Sequence, residues 1–366
     1  MKPIDLSKLQ TYPLSERKSM ASLEETLIDP ASTPQNLSPA NQEHITRCAA
    51  DIRSAREAGA SVMYIYGAHL IKNGAHLLLD ELMNGGWITH LATNGAGVIH
   101  DWEWAFHGQS TECVRSNVAT GTFGTWEETG HYLHLALLAG AIKDEGFGQS
   151  VGRMATEDGL TLPSKAELES QLRDEPAHPL APARAELLQA MTRHDLANGH
   201  HKIQHPWKSS CVLANAIKHN VPLTVHPGIG YDIISNHPMF NGAALGRAAQ
   251  LDFSTFGGSV EGLDNGVVLS VGSAIMGPQV FEKSISCVNN LRLQDDRPVV
   301  KDHSFYVVDI QEGGNWDWSQ GEPPKDNPAY YLRFCKSYDR MGGSMHYAQC
   351  DNIAFTHHLL NELKSL

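Results

Sequence analysis

Residue types that could bind a phosphate group and move protons lie close together between residues 90 and 109, HLATNGAGVIHDWEWAFHGQ. An apolar run there ends in Thr93-Asn94-Gly95-Ala96-Gly97, and a helical pattern begins at about Val98. In α/β proteins a strand, a glycine-rich turn and a helix start in this order bind phosphate or pyrophosphate. Glycine lets the backbone approach the anion, and the first amides of the helix face it. A short G-x-G is also typical of an ordinary strand-to-helix turn, so this segment alone leaves both interpretations open.

Four other predicted strand ends combine glycine with polar or aromatic side chains in the same way. They are residues 67–74 with Gly67, His69, Asn73 and Gly74; residues 226–232 with His226 and Asp232, followed by His237; residues 272–277 with Gly272, Ser273 and Gly277; and residues 311–319 with Trp316, Asp317 and Trp318. In a parallel sheet the loops that follow the strands share one edge, where such proteins bind their ligands. The sequence therefore predicts a ligand site built from five loops. His100 and Asp101 follow the loop at residues 93–97 and are expected at the same site.

Several of these residues also have structural explanations. Asp101 or Asp232 could cap a helix. Trp316 and Trp318 could close one edge of the core, and His226 could be a hydrogen-bonded loop histidine. The sequence does not decide between these roles and a role in the site.

The elements that must position these loops follow from the alternation of apolar runs with amphipathic segments. Strands are predicted over residues 61–66, 88–93, 221–225, 267–271 and 305–310, with a short one near 345–347. Helices are predicted over residues 40–59, 70–83, 127–141, 165–172, 183–192, 209–219, 243–256, 279–290, 329–339 and 352–363, besides the one from Val98. This pattern predicts an α/β fold with a doubly wound, mostly parallel sheet. Residues 1–40 are expected to form an extended arm and 41–366 a single domain, with a helical insertion at about 150–206 that lacks strand signals.

Composition excludes several function classes. The 366 residues are 41% hydrophobic and carry a formal net charge of −13, without a basic stripe for nucleic acid. No apolar run reaches the length of a membrane span, and the first residues do not resemble a signal peptide. Six dispersed cysteines predict reduced thiols and a cytoplasmic location. The 20 histidines include the pairs 131/134, 200/201, 226/237 and 357/358, but no H-E-x-x-H pattern, so no metal site is predicted.

The order of the glycine-bearing segments resembles the deoxyhypusine synthase family, whose members share a Rossmann-like NAD-binding fold. The likeness runs from about residue 60 to 325, interrupted by 150–206. Residues 67–74 are similar to the family's Thr-Ser-Asn-Leu-Ile-Ser-Ser-Gly segment, and 93–101 to its glycine turn that leads to an aspartate. Looser similarities join residues 226–232, 271–277 and 315–319 to the family's Pro-Ala-…-Asp-Gly-Ser, Gly-Gly-Gly and Glu-Phe-Asp-Gly-Ser loops.

Two departures from the family bear on the reaction. Family members form an imine on a lysine just after the Gly-Gly-Gly loop, where this chain has Met276-Gly277-Pro278-Gln279. Lys283 lies about a helical turn further on, where a lysine is more typical of a solvated helix face than of a nucleophile. The acidic pair before the family's aspartate is Ile99-His100 here, which weakens recognition of a polycationic amine. Without a placed amine the covalent transfer of an alkylamine lacks its nucleophile.

The resemblance implies an NAD-dependent transferase or oxidoreductase that acts on a small polar substrate, such as an amine, by hydride transfer with histidine and aspartate as acid and base. It also implies a homo-oligomer, a tetramer in the family. The implied catalytic residues are His100, Asp101, His226, Asp232 and Asp317. The implied NAD-binding residues are Gly67, His69, Asn73, Gly74, Thr93, Asn94, Gly95, Gly97, Gly272, Ser273 and Gly277, and the substrate residues are Trp316, Trp318 and His237. A phosphosugar isomerase or binder that uses the same loops, or a non-catalytic homologue, is the alternative.

Overall fold

The computed structural model describes residues 2–365 and groups them into two compact units. The helical unit comprises residues 2–26, 98–218 and 227–252. The sheet unit comprises residues 27–97, 219–226 and 253–365. The predicted division into an arm and one domain stays a prediction.

The strands are β1 (Ala21–Ser22), β2 (Val62–Tyr66), β3 (His90–Thr93), β4 (Gln109–Ser110), β5 (Gly159–Leu162), β6 (Gly199–Lys202), β7 (Leu223–Val225), β8 (Val267–Val271), β9 (Ser304–Asp309) and β10 (Ser344–Gln349). The helices are α1 (Leu23–Thr26), α2 (Pro39–Glu57), α3 (Ala68–Lys72), α4 (His76–Asn84), α5 (Gly95–His107), α6 (Val114–Thr120), α7 (Glu127–Ala141), α8 (Phe147–Glu157), α9 (Lys165–Asp174), α10 (Ala181–Arg193), α11 (Val212–Lys218), α12 (Gly242–Glu261), α13 (Met276–Gln294), α14 (Arg333–Asp339) and α15 (Asn352–Lys364). Short 3-10 turns lie at Leu6–Lys8, Leu14–Glu16, Lys208–Ser210, Ile233–Ser235, Trp318–Gln320 and Pro328–Tyr331.

The sheet unit contains a six-stranded sheet in the order β10-β9-β8-β2-β3-β7, and every neighbouring pair is parallel. Its central strands are buried at every residue, as expected for a parallel sheet covered on both faces. All six strands therefore end at one edge, here called the carboxyl edge.

Helices cover both faces of this sheet. On one face the end of α12, α13 and α14 pack Phe256, Phe281 and Tyr338 against Met63 and Ile65 in a contiguous apolar core. On the other face α2 and α15 pack against each other and against the strands. There Thr356 of α15 bonds the hydroxyl of Tyr64 at 2.7 Å, and Asp51 of α2 accepts from Tyr306 at 2.6 Å. The architecture is a doubly wound, Rossmann-like α/β fold, as predicted.

The helical unit packs α8 against α7 and α11, and α10 against α9 and α7. It also holds two small antiparallel sheets, β1–β4 and β5–β6. The expectation that residues 150–206 contain no strand is wrong, because β5 and β6 pair there. The pattern missed β6 because its sequence, GHHK, has no apolar alternation and is only half-buried. Among the described residues no helix combines the length and apolar character needed to cross a bilayer.

Candidate functional site

At the centre of the carboxyl edge the backbones of two loops touch. Gly67 follows β2 and Gly272 follows the adjacent β8, and a Cβ on Gly67 would lie 2.2 Å from the carbonyl oxygen of Gly272. Gly272 has φ +62°, and a Cβ there would lie 2.3 Å from Nδ2 of Asn352. No side chain fits at either position. The centre of this edge is therefore lined by bare backbone.

The loop after β3 is built in the same way on the other side of β2. Thr93 Oγ1 donates to the carbonyl oxygen of Tyr66 at 3.0 Å, and a Cβ on Gly97 would lie 2.2 Å from that Oγ1. Asn94 Oδ1 accepts from the Gly97 amide at 2.9 Å, which caps the start of α5 at Gly95. The opening glycine turn of the sequence is thus a capped helix start fixed to the neighbouring strand.

Two more helices begin at the same edge. Gly67 is the N-cap of α3 and offers no side chain to its amides. Ser273 Oγ accepts from the Gly277 amide at 3.1 Å in the first turn of α13. The side chains of His69 and Asn73 are exposed, whereas Gly74 is buried with φ +87°. The structure thus brings the predicted NAD-binding residues together at the ends of three adjacent strands, β8, β2 and β3.

Asn352, at the start of α15, is a residue that the sequence reasoning missed. Its Oδ1 is buried and has no hydrogen-bond partner among residues 2–365, although it lies beside Gly272. A buried acceptor of this kind is costly unless a donor reaches it. Its position just after the short predicted strand near residue 345 was the only signal in the sequence.

His226 lies at the end of β7, one strand beyond Thr93. Its amide donates to the carbonyl oxygen of Thr93 at 2.9 Å, and its ring meets Phe256 edge-on at 5.3 Å. Burial lowers the pKa of His226 to about 4. The imidazole is therefore neutral at pH 7 and can accept a proton.

Trp316, Asp317 and Trp318 line a cavity at the opposite end of the sheet, here called the β10 cavity. Its volume is ≈ 710 Å³, and its wall includes His44, Arg47 and His346. Trp316 is half-buried and donates from Nε1 to the carbonyl oxygen of Gly321 at 2.8 Å, whereas Trp318 is 5% exposed and belongs to the core. Asp317 is exposed and caps a 3-10 turn through Ser319, whose hydrogen bonds lower the pKa of the Asp317 carboxyl.

The strand order separates His226 from the β10 cavity. β7 and β10 are the two outer strands, five steps apart. At about 4.8 Å per step their ends are separated by about 24 Å. The expectation that one nicotinamide ring faces both His226 and Asp317 is therefore wrong. It assumed that all the loops at the carboxyl edge lie close together, whereas these two loops lie at opposite sides of the sheet.

The remaining predicted site residues belong to the helical unit. Asp101 is buried and accepts from the amides of Val212 and Leu213 at 2.9 and 2.8 Å, and from the thiol of Cys211 at 3.3 Å. It thus caps α11, and burial raises the pKa of its carboxyl to about 6. The capping role left open by the sequence is realised, and a catalytic role for Asp101 stays a prediction.

His100 belongs to a buried ionic network. Its Nδ1 lies 2.7 Å from Ser110 Oγ, which donates to Glu103 at 2.7 Å. Glu103 also accepts from Thr129 at 2.9 Å and from the buried guanidinium of Arg17 at 2.6 Å. Arg17 holds the pKa of Glu103 below its usual value against the opposing effect of burial. These contacts tie the N-terminal segment to α5.

Asp232 and His237 are buried in the loop after residue 226. Asp232 accepts from the Gly228 amide at 2.7 Å. His237 Nδ1 accepts from the Met239 amide at 3.1 Å, and its Nε2 lies 3.4 Å from Glu127. Both side chains thus have structural partners, and their roles in a site stay predictions.

Lys283 lies apart from the proposed site, and the residue types that bind metals are dispersed within the described chain. Lys283 is exposed on α13 and pairs with Glu282 at 2.8 Å, as expected of a solvated helix face. Within residues 2–365 no three His, Cys, Asp or Glu side chains are arranged to hold a metal ion.

The sequence matches no protein-family model and no curated protein. Solved structures that match include ArgZ, an arginine dihydrolase from the ornithine-ammonia cycle in cyanobacteria, at 16% identity and TM-score 0.39, over 89% of this chain and 33% of that one. A putative LOR/SDH protein from Methanococcus maripaludis S2 matches at 16% identity and TM-score 0.42, over 92% and 73%. AgrE in its ternary complex with ornithine and NAD+ matches at 14% identity and TM-score 0.42, over 90% and 34%.

The chain spans about a third of the length of ArgZ and AgrE. At these identities and TM-scores the matches assign neither a family nor an activity. None of the three is described as a deoxyhypusine synthase, so that family stays a resemblance drawn from the sequence motifs.

Proposed function

We propose that this protein is an NAD-dependent enzyme that oxidises or reduces a small polar substrate, such as an amine, by hydride transfer. The observation that carries the proposal is the contact between Gly67 and Gly272 at the centre of the carboxyl edge. Loops stripped of side chains at adjacent central strands let a pyrophosphate approach the backbone of both. The dinucleotide would lie across residues 67–74, 93–97 and 272–277.

The helices that start at these loops carry charge at their first turns that is opposite in sign to that of a diphosphate. α3, α5 and α13 all begin at the carboxyl edge, and their first amides carry partial positive charge. The unpartnered Oδ1 of Asn352 beside Gly272 adds an acceptor for a ligand hydroxyl or amide. Both features suit a ligand with a diphosphate and hydroxyl-bearing sugars.

His226 is the proposed proton acceptor. When bound, NAD+ would supply a hydride acceptor, and the O–H or N–H on the carbon that is oxidised would have to lose a proton. The neutral imidazole at the end of β7 can take that proton, and its position next to Thr93 places it beside the glycine turn. Because Asp317 lies at the other end of the sheet, the proposed proton transfer does not involve it.

A charge placed at the start of α13 tests the position of the dinucleotide. Ile275 precedes the helix and is 74% exposed, so Ile275→Glu adds a carboxylate without disturbing the core. Leu291, in the last turns of the same helix and 60% exposed, gives the matched control Leu291→Glu. Both variants change the net charge equally.

Calorimetric titration with NAD+ is expected to show binding to the parent protein and to Leu291→Glu. Ile275→Glu should bind about tenfold more weakly, the effect of a like charge several ångströms from the phosphates at an effective dielectric constant of about 20. Absence of heat at millimolar NAD+ with a folded protein would reject the cofactor. Thermal stabilisation by phosphosugars in that case would favour the isomerase alternative.

A further inference from the structure

A chain of buried hydrogen bonds runs from His226 into the sheet unit. His226 Nε2 lies 3.2 Å from Thr224 Oγ1, which lies 2.9 Å from His90 Nε2, and His90 Nδ1 lies 2.8 Å from Ser259 Oγ. Ala92 of β3 pairs with Thr224 of β7, and alternate residues of a strand share a face. His90, Thr224 and His226 therefore lie on the same face of the sheet.

The surroundings of this chain keep both imidazoles neutral. Phe256 meets the rings of His90 and His226 edge-on, at 5.4 and 5.3 Å. Burial lowers the pKa of His90 to about 3 and that of His226 to about 4. A neutral imidazole has one donor and one acceptor nitrogen, so the chain can adopt two opposite arrangements of protons.

The two arrangements differ at the outer end of the chain. The hydrogen bond with Thr224 engages Nε2 of His226, so the arrangements differ in what Nδ1 can offer a substrate. If Thr224 donated to Nε2, the proton of His226 would lie on Nδ1, and Nδ1 could then only donate. If Nε2 donated to Thr224 instead, Nδ1 would carry the lone pair that a proton acceptor needs, so the proposed function selects this second arrangement.

We propose that Thr224 and His90 are positioning residues that hold His226 with its proton on Nε2 and leave Nδ1 as the atom that accepts a proton from substrate. In this arrangement Nε2–H donates to Thr224, the threonine hydroxyl donates to His90 Nε2, and His90 Nδ1–H donates to Ser259. The Ser259 hydroxyl is then free to donate within its own helix, as serine commonly does. This inference rests on the proposed function, because the choice between the two arrangements follows from the need for an accepting Nδ1.

Nitrogen NMR on protein labelled at its imidazole nitrogens tests the arrangement without NAD+ or substrate. At pH 7 the parent protein should show His226 with a protonated Nε2 and an unprotonated Nδ1. Thr224→Val removes the acceptor at nearly constant volume and should shift the ratio of the two tautomers about tenfold towards Nδ1–H. Thr224→Ser retains the hydroxyl and should preserve the parent spectrum.

Thr356→Val is the matched control, because it removes another fully buried threonine hydroxyl, on the opposite face of the sheet, where it bonds Tyr64. It should leave the His226 resonances in place. A parent spectrum with the proton of His226 on Nδ1 would overturn the inference even if no variant folded. A folded Thr224→Val protein with an unchanged tautomer ratio would overturn the role of Thr224. Neither outcome depends on NAD+ binding, so failure here is distinct from failure of the proposed function.

Discussion

Replacing Gly67 by alanine tests whether the centre of the carboxyl edge requires bare backbone. The added Cβ would lie 2.2 Å from the carbonyl oxygen of Gly272, more than 1 Å inside the distance of ordinary van der Waals contact. Because that oxygen belongs to the backbone, no change of rotamer relieves the overlap. The two loops must move apart.

The free-energy cost of this movement has two parts, the steric overlap and the weakening of the hydrogen bond beside it. The Gly67 amide donates to the carbonyl oxygen of Val271 at 3.3 Å, directly after the pairing of Tyr66 with Val271. Overpacking of this kind costs about 1–3 kcal/mol, and weakening the terminal hydrogen bond adds about 1 kcal/mol. We expect Gly67→Ala to lower the free energy of unfolding by about 3 kcal/mol.

Gly257→Ala is the matched control, since Gly257 lies in the interior of α12 and a Cβ there meets nothing within 4 Å. Alanine in a helix interior is favoured over glycine, so this variant should be more stable than the parent by about 0.5–1 kcal/mol. Urea unfolding followed by circular dichroism measures both changes. NAD+ titration of each variant then shows whether the loop contact also serves binding.

The two glycine variants are expected to change stability in opposite directions, and only Gly67→Ala should weaken NAD+ binding. A Gly67→Ala protein with the parent's urea midpoint and the parent's affinity for NAD+ would refute the reasoning. It would mean that the two loops are free to separate.

Three further changes probe the ionisable groups. For His226, the unfolded chain binds a proton near pH 6.5 but the folded protein only near pH 4, so this residue should lower stability by about 2 kcal/mol between pH 7 and pH 5. Urea unfolding of His226→Gln at both pH values should lack that part of the decline, and equal declines would contradict it. Asp101→Asn replaces one accepting oxygen of the α11 cap by a donor and should cost about 2 kcal/mol in the same assay, whereas unchanged stability would argue against the cap. Arg17→Met should cost about 3–5 kcal/mol because it leaves Glu103 buried without its partner, and adding Glu103→Gln should recover part of that loss rather than increase it.

Much of the fold was predictable because its elements carry strong local signals. The strand predicted over residues 267–271 is β8 and the helix over 127–141 is α7, both with the predicted bounds. The helix predicted over 70–83 is instead α3 and α4, separated at Gly74, whose φ of +87° ends the first helix. A continuous apolar pattern did not reveal this break.

The residues at the centre of the site were predictable for the same reason. A glycine between a buried strand and a helix, or in the first turn of that helix, marks a place where backbone approaches a neighbour closely, as Gly67, Gly97 and Gly272 do here. Asn352 was missed because its significance comes from Gly272, eighty positions earlier in the chain. Contacts of that range leave no periodic signal in the sequence.

The strand order is the property that the sequence could not supply, and it decides which predicted residues can act together. One pair of consecutive strands breaks the sequential order: β8 follows β7 in the chain but lies beside β2, so β9 and β10 extend the sheet on the side away from β3 and β7. This order joins Gly272 to Gly67 and places His226 beside Thr93, so the glycine loops and the neutral imidazole form one continuous stretch of the edge. It also removes Asp317 from that stretch. A ligand that extends from the glycine loops towards β7 meets a buried base, whereas one that extends towards β10 meets Trp316 and the β10 cavity. The two directions predict different chemistry, and the proposed function assigns proton transfer to the β7 side, where His226 lies.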